Sequence, residues 1–212
     1  MKKVYFLSGL GADKRAFSLL DLSFCEAIFI DWIRPQEKES LENYALRLRR
    51  QIPEEHPVVV GVSFGGMLAS AMAKADPLMN IIIIASNKSS LEFPFYLRLG
   101  KYFPVYRWLP EKIIRSGRSF NWVFGVKDKE QKKLLAEILA DIDPSFLKWA
   151  IDAILHWKEK NVPANVKHIH GTADKLLPYR LVKADYEIKG GTHLMSINRP
   201  VEISSLLQRL VQ

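Results

Sequence analysis

Gly61-Val62-Ser63-Phe64-Gly65-Gly66 decides how this chain is read. A β-branched run, Val58-Val59-Val60, precedes it, and a small-residue segment with helical character, Met67 to Ala75, follows. The order is strand, sharp turn and helix, with the serine at the turn. Glycine on both sides lets two backbones pass where a Cβ would clash, so the serine can sit in a strained turn. A helix that starts there aims the positive end of its dipole at the serine and favours negative charge developing beside it. Ser63 is therefore a candidate nucleophile.

A serine nucleophile needs a base, and the base needs an acid to orient it. Gly190-Gly191-Thr192-His193-Leu194-Met195 offers the base on a loop after a short strand-like segment, Ala184 to Ile188. Val166-Lys167-His168-Ile169-His170-Gly171-Thr172-Ala173-Asp174 offers the acid: an alternating strand, a glycine turn, then a carboxylate. A tetrahedral intermediate also needs fixed donors for its oxyanion. The backbone N–H of Phe64 is the first. Ser8-Gly9-Leu10-Gly11 follows the strand Val4 to Leu7, and the Leu10 N–H is the second.

The chain order Ser63, Asp174, His193 is that of the α/β-hydrolase fold and differs from the orders of chymotrypsin and subtilisin. On these motifs the chain resembles a small single-domain α/β-hydrolase, and the resemblance covers nearly all of it. It departs at one point: many members carry His-Gly at the end of the oxyanion strand, and here the pair is Ser8-Gly9. The backbone donor survives that change. The resemblance implies an α/β fold with a mostly parallel six-stranded sheet, helices on both faces and an inserted helical lid.

A chain of 212 residues suffices for one substantial core and is short for two ordinary domains. Residues 1–212 are read as one domain, with the lid at about 88–145. No run of 18 apolar residues is present. Met1-Lys2-Lys3 and the short apolar Val4 to Leu7 read as a first strand rather than a signal peptide. The single cysteine, Cys25, permits no internal disulfide and reads as a packing residue. A cytoplasmic protein is expected.

Strands are expected near 3–8, 26–31, 57–62, 80–85, 165–170 and 184–188, alternating with helices, which argues for a parallel sheet covered by helices. Ala16 to Leu20 reads as a short helix. Ser40 caps the next, with Leu41, Tyr44, Ala45 and Leu48 at helical spacing and Arg47 and Arg50 on a solvated face. Asp143-Pro144 starts another, and Pro200 the last. His168 and His170 share one strand face; with no third ligand evident they read as strand residues rather than a metal site. His56 reads as a loop residue, and His156 faces either the lid or solvent.

Residues 88–133 hold 11 Lys+Arg and 4 Asp+Glu, a balance of +7 against +8 for the whole chain. Ten of the 23 aromatics lie there too: Phe93, Phe95, Tyr96, Tyr102, Phe103, Tyr106, Trp108, Phe120, Trp122 and Phe124. Three readings stay open. The aromatics pack the lid and the lysines solvate it; or an apolar acyl pocket lies under a basic rim, suited to an acyl chain on an anionic carrier such as coenzyme A or acyl carrier protein; or the lid touches an anionic membrane surface. Nucleic acid is not expected, since no recognition motif accompanies the charge. Leu10, Phe64, Phe95 and Trp122 are the expected substrate-binding residues.

The implied chemistry is acyl transfer to water: a serine hydrolase acting on an ester or thioester of an apolar acyl group, with catalytic Ser63, Asp174 and His193, and with no cofactor or metal. A serine nucleophile speaks against the aspartate-using dehalogenases and epoxide hydrolases of the fold. Carbon–carbon bond hydrolysis, lyase, aminopeptidase and haloperoxidase chemistry, and a non-catalytic ligand receptor, stay open, because one fold hosts many functions.

Overall fold

The computed structural model describes residues 1–103 and 121–212, with side chains for all of these except Asn121 and Trp122. Six strands form one sheet: β1 (Lys2–Leu7), β2 (Cys25–Phe29), β3 (Val58–Val62), β4 (Asn80–Ile84), β5 (Val166–Gly171) and β6 (Tyr186–Ile188). Their order across the sheet is β2-β1-β3-β4-β5-β6, and every pairing is parallel. From β1 the chain winds one way to β2, then returns past β1 to β3. The carboxyl ends of β1 and β3 therefore flank the point where the winding reverses, which is where open α/β sheets leave a crevice.

Both faces of the sheet are covered, and the strand alternation says by what. Tyr5, Leu7, Val59, Ile81 and Ile83 turn to one side and pack with α1 (Leu41–Arg49) and α2 (Phe64–Ala75). Val4, Phe6, Val58, Val60, Ile82 and Ile84 turn to the other side and meet Ile203, Leu206 and Leu207 of the C-terminal helix, Pro200–Val211. The near-continuous Val and Ile runs are those of strands buried on both faces.

Local signals place the helices. Ser40 caps α1 by accepting the Asn43 N–H. Arg47 departs from the solvated face expected of it: it pairs with the buried Glu39 at 2.7 Å. The expected helix at Ala16 to Leu20 is a 3-10 turn over Lys14–Phe17, capped by Asp13. The last strand is shorter than expected: it starts at Tyr186, and just before it the Asp185 carboxylate accepts the His168 N–H and Lys88 Nζ.

Between β4 and β5 the chain carries α3 (Phe95–Gly100), α4 (Asn121–Phe124), α5 (Lys129–Ala140) and α6 (Pro144–Leu155). Asp128 caps α5, accepting the Glu130 and Gln131 N–H groups. Asp143 caps α6, and Pro144 occupies its first turn. An aromatic cluster ties α6 to α1: the Trp149 and Tyr44 rings lie 4.3 Å apart, and the Trp149 Nε1–H donates to the Glu39 carbonyl at 3.0 Å. Tyr106, Trp108 and Phe120, expected in this segment, lie outside the described residues.

Candidate active site

The elbow is built by close contact. A Cβ on Gly65 would collide with the carbonyl oxygens of Leu7 and Ser8, and one on Gly61 would come within 2.5 Å of the Gly65 carbonyl oxygen. Both glycines are thus required for α2 to leave β3 at this angle. Ser63 lies between them at φ 52°, ψ −117°, a conformation that costs a non-glycine residue about 1–3 kcal/mol. The neighbours hold it there. Its N–H donates to the Ile84 carbonyl at 2.9 Å, and its own carbonyl accepts the Ser86 hydroxyl at 2.6 Å. Ser86 had no signal in the sequence, since nothing in its spacing marks it.

The structure brings Ser63, His193 and Asp174 together. The Ser63 Oγ lies 2.9 Å from His193 Nε2, and His193 Nδ1 lies 2.9 Å from Asp174 Oδ2. A carboxylate only accepts, so Nδ1 carries the imidazole proton and the bare Nε2 accepts from the serine hydroxyl. Asp174 is buried, and its Oδ1 accepts the N–H groups of Leu176 and Leu177 at 2.9 and 2.8 Å. Burial alone would push its carboxyl up. The attraction and hydrogen bond of His193, with the Leu177 N–H and His170, outweigh burial and hold it below the usual carboxylate range.

The loop after β1 runs alongside. A Cβ on Gly9 would come 3.8 Å from the Ser63 Cβ. Ser8 donates its hydroxyl to the Ala12 carbonyl at 2.5 Å and closes the loop on itself. Among the described residues no backbone acceptor takes the N–H of Leu10 or of Phe64. Phe64 begins α2, where the first N–H groups have no partner within the helix.

Ser63 and His193 open onto a cavity of about 340 Å³. Leu10 and Phe64, two of the residues expected to bind substrate, line it. Phe95 does not. It is 74% exposed and packs edge-on against Tyr96, while Leu97 faces the cavity instead. Two helical residues two positions apart point about 200° apart, so Leu97 and Phe95 take opposite faces of α3. The side chain of Trp122 lies outside the described residues. The walls are mainly aliphatic, from Leu135, Ile138 and Leu139 of α5 and Leu147, Ile151 and Ile154 of α6. Among the described residues, the lining side chains besides Ser63 and His193 include one with a polar oxygen or nitrogen, Ser196. A larger groove of about 900 Å³, lined by Trp32, Arg34, Glu37 and Asp143 among others, does not include Ser63 or His193.

The loop carrying His193 is fastened to the inserted segment. Thr192 donates its hydroxyl to the Phe124 carbonyl at 2.9 Å, and the Phe124 and His193 rings lie 5.6 Å apart. Among the described residues no cluster of three or more His, Cys, Asp and Glu side chains is arranged to hold a metal ion.

His168 and His170, read from the sequence as strand residues, are fully buried behind Asp174. Burial holds His168 well below the usual histidine range, aided by His170 and Lys88. Burial also lowers His170, partly offset by Asp174 and the Leu177 carbonyl. An unfolded histidine titrates near 6.5. Below that pH the unfolded chain binds protons that the folded chain refuses, so stability is present above pH ~6.5 and falls as the pH drops below it. Melting temperature should therefore be lower at pH 5.5 than at pH 7.5. A melting temperature constant across that window would contradict the burial of two neutral rings.

Comparison with known proteins agrees with this architecture. The model of the alpha/beta hydrolase family matches residues 4–206. No curated protein sequence matches the chain. Among solved structures, a hydrolase from Pseudomonas aeruginosa PA01 superposes with a TM-score of 0.78 at 10% identity, covering 99% of this chain and 89% of that one. A structure from a study of carboxylesterases of the thaumarchaeon Nitrososphaera gargenis gives 0.75 at 17% identity, with 99% and 89% covered. A thermophilic esterase from Thermogutta terrifontis gives 0.68 at 15% identity, with 100% and 91% covered. At such identities the likeness is one of fold.

Proposed function

The chain belongs to the alpha/beta hydrolase family, and on that premise we propose that it is a serine hydrolase cleaving an ester or thioester of an apolar acyl group. One observation carries the reading: Ser63 Oγ, His193 and Asp174 are linked by two 2.9 Å contacts at the wall of an aliphatic cavity. The esterase relatives of the fold support the same reaction class.

In this reading Ser63 Oγ attacks the carbonyl carbon while His193 Nε2 takes its proton. The oxyanion so formed meets the N–H groups of Phe64 and Leu10. The tetrahedral intermediate collapses as His193 returns the proton to the departing alcohol or thiol, leaving an acyl group on Ser63. Water, deprotonated by His193, attacks that acyl group, and the carboxylic acid leaves as Ser63 regains its proton. Asp174 holds the imidazole tautomer and stabilises the imidazolium. The helices between β4 and β5 serve as the lid. Its lysines and arginines leave room for an anionic carrier on the acyl group.

The test is a fluorophosphonate probe followed by mass spectrometry of the adduct, with a chain-length series of p-nitrophenyl esters and acyl thioesters. Labelling at Ser63 is expected. So is a kcat/KM that rises from acetyl by several-fold per added methylene until the cavity is full, as about 0.8 kcal/mol per buried methylene implies. An unlabelled, folded protein would point to a ligand receptor. A series that falls from acetyl onward would remove the apolar acyl group from the proposal.

A further inference from the structure

Behind Asp174 lies a hydrogen-bonded relay that the proposed reaction does not use. His170 Nε2 lies 2.7 Å from the Leu177 carbonyl and 3.4 Å from Asp174 Oδ2. A carbonyl only accepts, so Nε2 carries the proton of the ring. In the neutral ring Nδ1 is then a bare acceptor, and His168 Nε2–H donates to it at 2.9 Å. One carbonyl oxygen thus fixes the tautomers of both rings. His168 Nδ1 is left buried with no partner among the described residues. The outer ring is anchored through its backbone: its N–H donates to Asp185 Oδ2 at 2.7 Å, and that oxygen also accepts Lys88 Nζ at 2.7 Å.

Leu177 joins the relay to the acid. Its N–H donates to Asp174 Oδ1, and its carbonyl accepts from His170. The turn that carries the acid is therefore gripped from the strand. The imidazole N–H of His170 also faces the same carboxylate oxygen that accepts His193 Nδ1–H. A partial positive charge on that side stabilises the carboxylate without supplying a proton that would neutralise it.

We propose that His170 is a positioning residue: it pins the Leu177 carbonyl, and with it the turn whose N–H groups hold Asp174, and sets its own N–H dipole beside Asp174 Oδ2 so that this oxygen stays aimed at His193. The inference rests on the reading of Ser63, His193 and Asp174 as the reacting set. His168 keeps the inner ring in place by donating to its Nδ1, and burial keeps both rings uncharged, so His193 is the cation that Asp174 meets during turnover.

The variants His170→Phe and His170→Gln test this. Phenylalanine keeps the volume and removes the donor. Glutamine keeps an N–H at a reach similar to Nε2. In the full-length protein, the proton on His193 Nδ1 is observed directly by NMR, far downfield, where an imidazole N–H bonded to a buried carboxylate resonates. Expected in H170F are loss or a marked upfield move of that resonance and a kcat lower by about tenfold at unchanged KM, the scale on which orienting partners act. H170Q should restore both. A role in packing alone would lower the melting temperature without moving the resonance. If H170F does not fold, H170N decides instead, because its amide is too short to reach Leu177 or Asp174, and the same losses are expected.

A folded H170F or H170N with an unmoved resonance and undiminished kcat would overturn the proposal. An equal loss in H170Q would assign the effect to ring packing and overturn it too. The probe reaction of the unmodified protein separates this from the parent reading. If Ser63 does not react but the resonance is lost in H170F and kept in H170Q, the positioning role stands and the hydrolase reading falls.

Discussion

Replacing Ser63 with alanine should lower kcat by about 10⁶-fold, to the residual rate that donors and binding alone sustain. The reason is chemical rather than conformational. Alanine removes the Oγ that lies 2.9 Å from His193 Nε2 and leaves the rest of the elbow in place. The backbone N–H still reaches the Ile84 carbonyl, and Ser86 still reaches the residue-63 carbonyl. Melting temperature should accordingly stay close to that of the unmodified protein, and probe labelling should vanish. Turnover within tenfold of the parent, measured on the ester giving the highest rate and after exclusion of a contaminating esterase, would remove Ser63 from the mechanism.

Asp174→Asn should cost about 10⁴-fold in kcat with the fold intact. The amide oxygen of asparagine takes the place of Oδ1 and still accepts the Leu176 and Leu177 N–H groups. The amide nitrogen then stands where Oδ2 met His193. It donates instead of accepting, so the imidazole turns to the tautomer with its proton on Nε2. That ring has no lone pair for the serine proton. Steady-state kinetics alongside thermal melts separate the two effects. A variant that keeps both its fold and its rate would show that Asp174 does not set the tautomer.

The sequence carried the sheet because its signals are local. Val58-Val59-Val60 and Ile81 to Ile84 are buried on both faces, and runs of this kind announce themselves. Ser63, Asp174 and His193 each follow a strand and a glycine, so their positions were legible from spacing. Ser86 was not, because its value comes from reaching across two strand ends to the Ser63 carbonyl. His170 reads from the sequence as an ordinary strand residue. Its place four residues before Asp174 was the available sign, but only packing shows that the ring turns back onto that carboxylate. Phe95, expected to bind substrate, lies off the cavity for a different reason. Aromatic content locates apolar surface without saying which face of a short helix turns inward, and α3 turns Leu97.

The aliphatic walls of the cavity set a ceiling on discrimination. A pocket that recognises only shape separates neighbours in a homologous series by several-fold per methylene, at roughly 0.8 kcal/mol each. It rejects an analogue bearing an added hydroxyl only about 10²-fold, whereas pockets that answer a polar group with one of their own reach 10⁴ or more. Among the described residues, Ser196 is the lining side chain besides Ser63 and His193 that offers such an answer. On the proposed reading, acyl groups of equal girth would thus be cleaved in proportion to their abundance, and supply more than recognition would decide which of them the protein meets.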